Sequence, residues 1–277
     1  MAEAVEGERE YLTLEAIQGE LLSMLKVAGP WLKEHGIRYS LSDGSLLGAV
    51  RHKGFIPWDD DLDVYMPRPD YEKWLSLTEE FKDDTGFGVR SCRDGSYHYP
   101  FSKITNPAIR AQEVSVEGNY EGYLWIDVFP VDGVPDDDVE YAKLVRWRRL
   151  REKMINLALT KGSRSKSKAA FKIVVQPVFK HLVDPAKLTL RIEERCKQIP
   201  FETANRVACP VYGITFAGKS IPREGFEKMV MLPFGDTEQP CMSCWDEYLT
   251  KSYGEYMQLP PEEKRWHHPQ KTWRVDQ

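Results

Sequence analysis

The chain has no long apolar run. None of its stretches approaches the roughly 20 apolar residues that a membrane-spanning helix needs, so no span is expected. It also lacks a basic start followed by an apolar core, because the first twenty residues hold six glutamates and one arginine. No cleavable signal is read there, and a cytoplasmic location is expected, with the inner face of a membrane within reach. Cysteine is sparse: Cys92, Cys196, Cys209, Cys241 and Cys244 form no even framework, which argues for reduced thiols. Cys241 and Cys244 have the spacing of a zinc knuckle, but a structural zinc site needs further ligands. Cys209, His267 and His268 are candidates, and nothing chooses among them. A positive balance is missing as well. With 38 Lys and Arg against 43 Asp and Glu, net −5, the chain lacks the domain-wide basic surface of a nucleic-acid binder, and nucleic acid is not expected as a partner.

What is present is an ordinary globular composition, 42% hydrophobic over 277 residues, enough for one sizeable core and a helical insertion. The most informative segment is Ser42-Asp43-Gly44-Ser45-Leu46-Leu47-Gly48, followed within twenty residues by Trp58-Asp59-Asp60-Asp61-Leu62-Asp63-Val64. A Gly-Ser pair opening a helix leaves backbone N–H groups at the positive end of the helix dipole, where a phosphate can settle. Asp61 and Asp63 stand two residues apart, so in a strand both leave on one face while Leu62 and Val64 enter the core. Asp59 could share that face. Carboxylates this close repel unless a cation lies between them, and oxygen ligands with substrate phosphate suit Mg²⁺, with Mn²⁺ as the substitute. The same residues also read as a solvated acidic turn capping the next helix. Asp127, the lone acid in Tyr123-Leu124-Trp125-Ile126-Asp127-Val128-Phe129, is the third candidate. A buried carboxylate needs a partner, either the same cation or a basic side chain.

Along the chain, Leu14, Ile17, Leu21, Leu25, Ala28 and Leu32 have helical spacing, ending near Gly36, and predict a helix over 11–35. Strands are expected at 37–41, 62–66, 87–91, 98–104, 108–114 and 123–129, with helices at 46–52 and 69–81. Residues 143–180 change character, with twelve Lys or Arg against one acid, Glu152. They read as two basic amphipathic helices around a Gly/Ser/Lys-rich break at 160–168. Such helices are either a solvated face or a peripheral contact with anionic lipid or a polyanionic acceptor.

The segment from Leu46 to Val64, together with Tyr253-Gly254-Glu255-Tyr256 through Leu259-Pro260-Pro261 to Arg265, and His267-His268-Pro269, resembles the two signatures of the LicD family. These are bacterial phosphocholine transferases whose catalytic domain fukutin-type proteins share. The resemblance implies an α+β fold, a nucleotidyltransferase-like mixed β-sheet flanked by helices. The core would comprise 1–135 and 200–277, with a basic helical insertion at 136–199. It implies Mg²⁺-dependent transfer of a substituted phosphate, phosphocholine first, from a CDP-activated donor to a hydroxyl of a surface glycan, a lipid-linked glycan, or a teichoic-acid or lipopolysaccharide precursor. Asp61, Asp63 and Asp127 would be catalytic and metal-binding. Gly44, Ser45, Arg51, His52, Lys53, Trp58 and Arg265 would contact substrate. Trp58, Tyr97, Tyr99, Trp125, Trp245, Tyr256 and Trp266 are the aromatics available to cage a choline. Two other readings stay open: a nucleotidyltransferase using an NTP on a small molecule or protein, and an inactive scaffold that binds glycan or lipid precursors.

Overall fold

The computed structural model describes residues 10–113, 120–159, 177, 179, 182–212, 220–265 and 270–275. The first helix, α1 (Leu14–Glu34), starts where Thr13 Oγ1 accepts the Ala16 N–H at 3.2 Å and stops before Gly36, whose φ of +60° suits a residue without a Cβ. Its predicted stripe is the one that packs: Ile17, Leu21, Leu25, Ala28 and Leu32 are buried, joined by Met24 and Trp31.

A short strand, β1 (Ser40–Leu41), feeds α2 (Asp43–His52), which starts earlier than the predicted 46. Strand β2 (Asp63–Pro67) follows. The single helix expected over 69–81 is two, α3 (Arg68–Ser76) and α4 (Thr78–Thr85). The Leu77 N–H bonds the Trp74 carbonyl at 3.0 Å, a tightened turn that separates the two helices. After β3 (Gly88–Arg90), the two strands expected at 98–104 and 108–114 run as one, β4 (Ser102–Glu113). Its register with β5 (Tyr120–Val134) slips between Asn106 and Arg110. Pro107 has no N–H to give the ladder, so a bulge absorbs it.

Beyond β5 come α5 (Asp138–Leu159) and α6 (Pro185–Cys196), which pack together. The break expected at 160–168 lies outside the described residues. The chain then adds β6 (Arg206–Ala208), β7 (Ile221–Pro222), α7 (Arg223–Glu227), β8 (Met229–Phe234), β9 (Thr237–Met242), α8 (Trp245–Tyr253) and β10 (Gln270–Arg274).

The main path of the sheet is β10-β4-β5-β2-β1-β9-β8, parallel at β2·β5 and β1·β9 and antiparallel elsewhere. The fold is therefore an open mixed sheet with helices. Leu41, Leu62, Val64, Ile126 and Val128 form its buried centre. A buried ion-pair cluster ties α6 to that centre: Arg68 forks onto Asp132 at 2.6 and 2.7 Å and reaches Glu193 at 3.0 Å. No helix among the described residues is long and apolar enough to cross a membrane.

Candidate active site

The site begins with one register pair. β2 and β5 run parallel with Asp63 opposite Asp127, and the Asp127 N–H donates to the Leu62 carbonyl at 2.9 Å. Because Leu62, Val64, Ile126 and Val128 are buried on one face, the period of two sends Asp63 and Asp127 to the other. The start of α2 fixes the backbone there. Ser42 N–H donates to the Asp63 carbonyl at 3.0 Å, and Asp63 N–H donates to Ser45 Oγ at 2.9 Å. Ser45, expected as a phosphate contact, thus has its hydroxyl committed inside the protein as the brace that positions Asp63.

Asp63 has its carboxyl pushed well above the usual carboxylate range, by burial first and then by Asp61, Asp127, Asp43 and Asp59. Five aspartates therefore share one field. Asp43 sits at φ +43°, a left-handed conformation that Asp tolerates better than most residues. It is held by Tyr248, whose hydroxyl donates to Asp43 Oδ1 at 2.7 Å and accepts the Asp43 N–H at 3.3 Å. The Asp59 carboxylate lies close against Gly44, where a Cβ would come 2.6 Å from Asp59 Oδ2. The positive end of α2 thus already faces a carboxylate of the chain itself, a favourable dipole interaction.

One buried cation enters this field, and the sequence reading missed it. Lys103, opposite Asp127 on β4, brings Nζ to 3.2 Å from Asp127 Oδ1, with both side chains largely buried. Trp125 Nε1–H donates to Asp127 Oδ2 at 3.1 Å. The Lys103 ammonium lies 3.7 Å from the Trp125 ring centroid and 5.0 Å from that of Tyr97, so both faces already hold a cation of the protein's own. Among the described residues, the trio of metal-capable groups whose ligand atoms all come within 4.8 Å of one another is His35, Glu80 and Asp84, not the aspartates. The aspartate set is wider than that.

The other expected contacts assemble at the opposite end of α2. Arg51 donates to His52 Nε2 at 2.9 Å and to the Tyr256 carbonyl at 2.8 Å. His52 is lowered by burial and then by Arg51, and so is held neutral. Its ring meets Trp58 edge-on at 6.3 Å, and the Arg265 guanidinium covers Trp58 at 5.1 Å. Arg51, His52, Trp58 and Arg265 thus form one cluster joining the two signature segments. Lys53 is the left-handed C-cap of α2, roughly 13 Å along the helix from Gly44 at 1.5 Å per residue. Gly44 and Lys53 therefore stand at opposite helix ends, and a single phosphate does not meet both. Between the two ends stands Tyr253, also missed from sequence. Although the residue is 37% exposed, its hydroxyl is raised by desolvation first and then by Asp43, Asp63, Asp59 and Asp61, while Arg51 in turn feels Tyr253. His267, His268 and Trp266 lie outside the described residues. Cys241 is buried in β9, its thiol directed to the Gln239 carbonyl at 3.6 Å.

Carboxylates from two parallel neighbouring strands, set beside a helix start that faces acid, define a protein with an acidic polar centre on one face of a mixed sheet. Residues 36–151 match the family model described as LicD/FKTN/FKRP, nucleotidyltransferase domain. The chain is 29% identical over 271 residues to the lipopolysaccharide cholinephosphotransferase LicD of Haemophilus influenzae, covering 95% of this chain and 98% of that one. It is 58% identical over 33 residues to the human ribitol 5-phosphate transferase FKRP, only 12% of this chain and 7% of that protein. Over nearly its whole length the chain is thus similar to a LicD protein, and residues 36–151 carry the match to the family's nucleotidyltransferase domain.

Proposed function

We propose that this protein is a phosphotransferase that moves a substituted phosphate, phosphocholine first, from a CDP-linked donor to a hydroxyl of a glycan or lipid-linked glycan. The observation that carries the reading is the register pair of Asp63 and Asp127, with the half-buried Asp63 carboxyl pushed upward by desolvation and then by Asp61, Asp127, Asp43 and Asp59. A protein keeps such a cluster at a cost in stability, and a divalent ion offsets that cost. Relatives named for cholinephosphate and ribitol phosphate transfer support the reaction class.

The donor set, all carboxylate oxygen, suits Mg²⁺ or Mn²⁺, and Asp61, Asp63 and Asp127 would hold the ion. When bound, it supplies charge neutralisation for the donor diphosphate and the departing CMP. The remaining steps fall to the chain's own groups. The acceptor oxygen attacks the distal phosphorus, the bond from that phosphorus to the CMP oxygen breaks, and CMP leaves with the electron pair. The hydroxyl proton goes to a carboxylate. Lys103 and Trp125 engage the two carboxylate oxygens of Asp127, so Asp59, against Gly44 at the start of α2, is assigned as the base. Arg51 and Arg265 form a basic pair at the other end of α2.

The test is a thermal-shift panel with and without Mg²⁺, using CDP-choline, CDP-ethanolamine, CDP-ribitol, CDP-glycerol, CTP and ATP. A ligand that binds only the folded state raises the melting temperature. Mg²⁺-dependent stabilisation by a CDP-alcohol is expected, and stabilisation by an NTP alone would replace the reading with nucleotidyl transfer.

A further inference from the structure

The basic character read over 143–180 continues on a second helix. Lys143, Trp147 and Arg151 lie four residues apart on α5, and Lys187, Arg191 and Arg195 lie four apart on α6. That spacing puts each set on one helical face. The two faces adjoin. The Arg151 guanidinium stacks on Trp147 at 3.8 Å, and that of Arg195 stands 6.0 Å from the same ring. Arg151 is lowered by burial first and then by Arg191 and Arg195, so three guanidiniums lie within one field and two of them stand at the Trp147 indole. Lys143 and Lys187 have local partners, Glu140 at 2.7 Å and Asp184 at 3.4 Å. Arg151, Arg191 and Arg195 form no ion pair among the described residues. Like charges held together are relieved by an anion.

Large apolar side chains accompany these cations. Leu150 is 59% exposed in the same groove as Arg146, Trp147, Arg149 and Arg151, and Leu182, just before α6, is 77% exposed. A soluble polyanion has no use for exposed leucines, whereas a helix lying in a bilayer interface pairs a basic face with apolar side chains that enter the acyl boundary.

We propose that this face of α5 and α6 docks on an anionic bilayer, with Arg151, Arg191 and Arg195 on lipid phosphates and Leu150 and Leu182 below the headgroups. The docking is independent of the transfer chemistry and of its aspartates.

The experiment is flotation of the full chain with phosphatidylcholine vesicles, with and without phosphatidylglycerol, at low and physiological salt. Binding is expected only to the anionic vesicles and weakens with salt. Arg191→Gln/Arg195→Gln lowers the partition coefficient roughly thirty-fold, at the usual contribution per basic residue. Leu150→Ser weakens it with no change in charge. Lys33→Gln/Lys82→Gln, which removes the same charge from α1 and α4, leaves it unchanged, and circular dichroism confirms that each variant is folded. Equal binding to neutral vesicles, no binding, or insensitivity to Arg191→Gln/Arg195→Gln would overturn the proposal. So would soluble polyphosphate stabilising the protein through these arginines while vesicles fail to bind, which assigns the face to a soluble polyanion.

Discussion

Replacing Lys103 with Met keeps the apolar stem against Trp125 and Tyr97 and removes only the ammonium. The Lys103–Asp127 pair has side chains 7% and 15% exposed, and deleting one partner of a buried pair costs ~3–5 kcal/mol. Loss of the stacking on Trp125 adds to this, by ~0.5–2 kcal/mol. Asp127 then stands uncompensated beside Asp63, but its partial access to water lets it take up a proton, which limits the loss to about 3 kcal/mol. For a chain of this size each kcal/mol moves the melting temperature by about 2–4 °C, so calorimetry should show a fall of roughly 6–12 °C. Lys103→Met/Asp127→Asn removes both charges and should recover about 2 kcal/mol relative to Lys103→Met alone, the signature of direct coupling in a double-mutant cycle. A Lys103→Met protein within about 0.5 kcal/mol of the parent, or strictly additive effects, refutes the electrostatic account of Asp127.

Other perturbations probe separate parts of the argument. Gly48→Ala would place a Cβ 2.3 Å from the Gly54 carbonyl oxygen, and this overpacking should outweigh the ~1 kcal/mol gained in helix propensity, leaving a net loss of about 1–2 kcal/mol in urea melts. Arg68→Met strands Asp132 in the interior and leaves Glu193 to Arg93 alone, and it should cost ~3–5 kcal/mol, with amide exchange rising first in α6. His35 is raised above 6.5 by the Trp31 carbonyl, against desolvation, with Glu80 also raising it. Its charged form favours the folded state, so its stabilisation is complete below pH 6.5 and fades as pH rises through the folded value. Proton NMR of the His35 ring should show titration above 6.5, and His35→Gln should flatten stability over that window.

Much of this arrangement is legible in the sequence because local rules and the final structure agree. The α1 stripe, the strand carrying Asp63 and the lone acid Asp127 all follow from periodicity, and the register pair Asp63 and Asp127 is the juxtaposition those patterns anticipate. Long-range pairing is what escapes. Lys103 carries the same signal as Asp127, a single charge in a β-prone apolar run, yet only the antiparallel register of β4 with β5 shows the two to be partners. Tyr248 looks like an ordinary residue of an amphipathic helix until α8 meets the start of α2. Ser45 reads as a ligand contact because a hydroxyl at a helix start serves a bound anion and a neighbouring strand equally well, and here its partner is the Asp63 N–H. The basic stretch reads as ending at 180 because α6 intersperses acids, Glu193 and Glu194, between its arginines, and only the helical face separates them.

The central claim is that Asp61, Asp63 and Asp127 form a divalent-cation site for an activated phosphate donor. Titration calorimetry of Mn²⁺ and Mg²⁺ into the parent, Asp63→Asn and Asp127→Asn proteins tests it most directly. The account predicts saturable binding to the parent that weakens at least about ten-fold in each variant, while both variants stay folded. Equal affinity in the parent and Asp63→Asn proteins would contradict it.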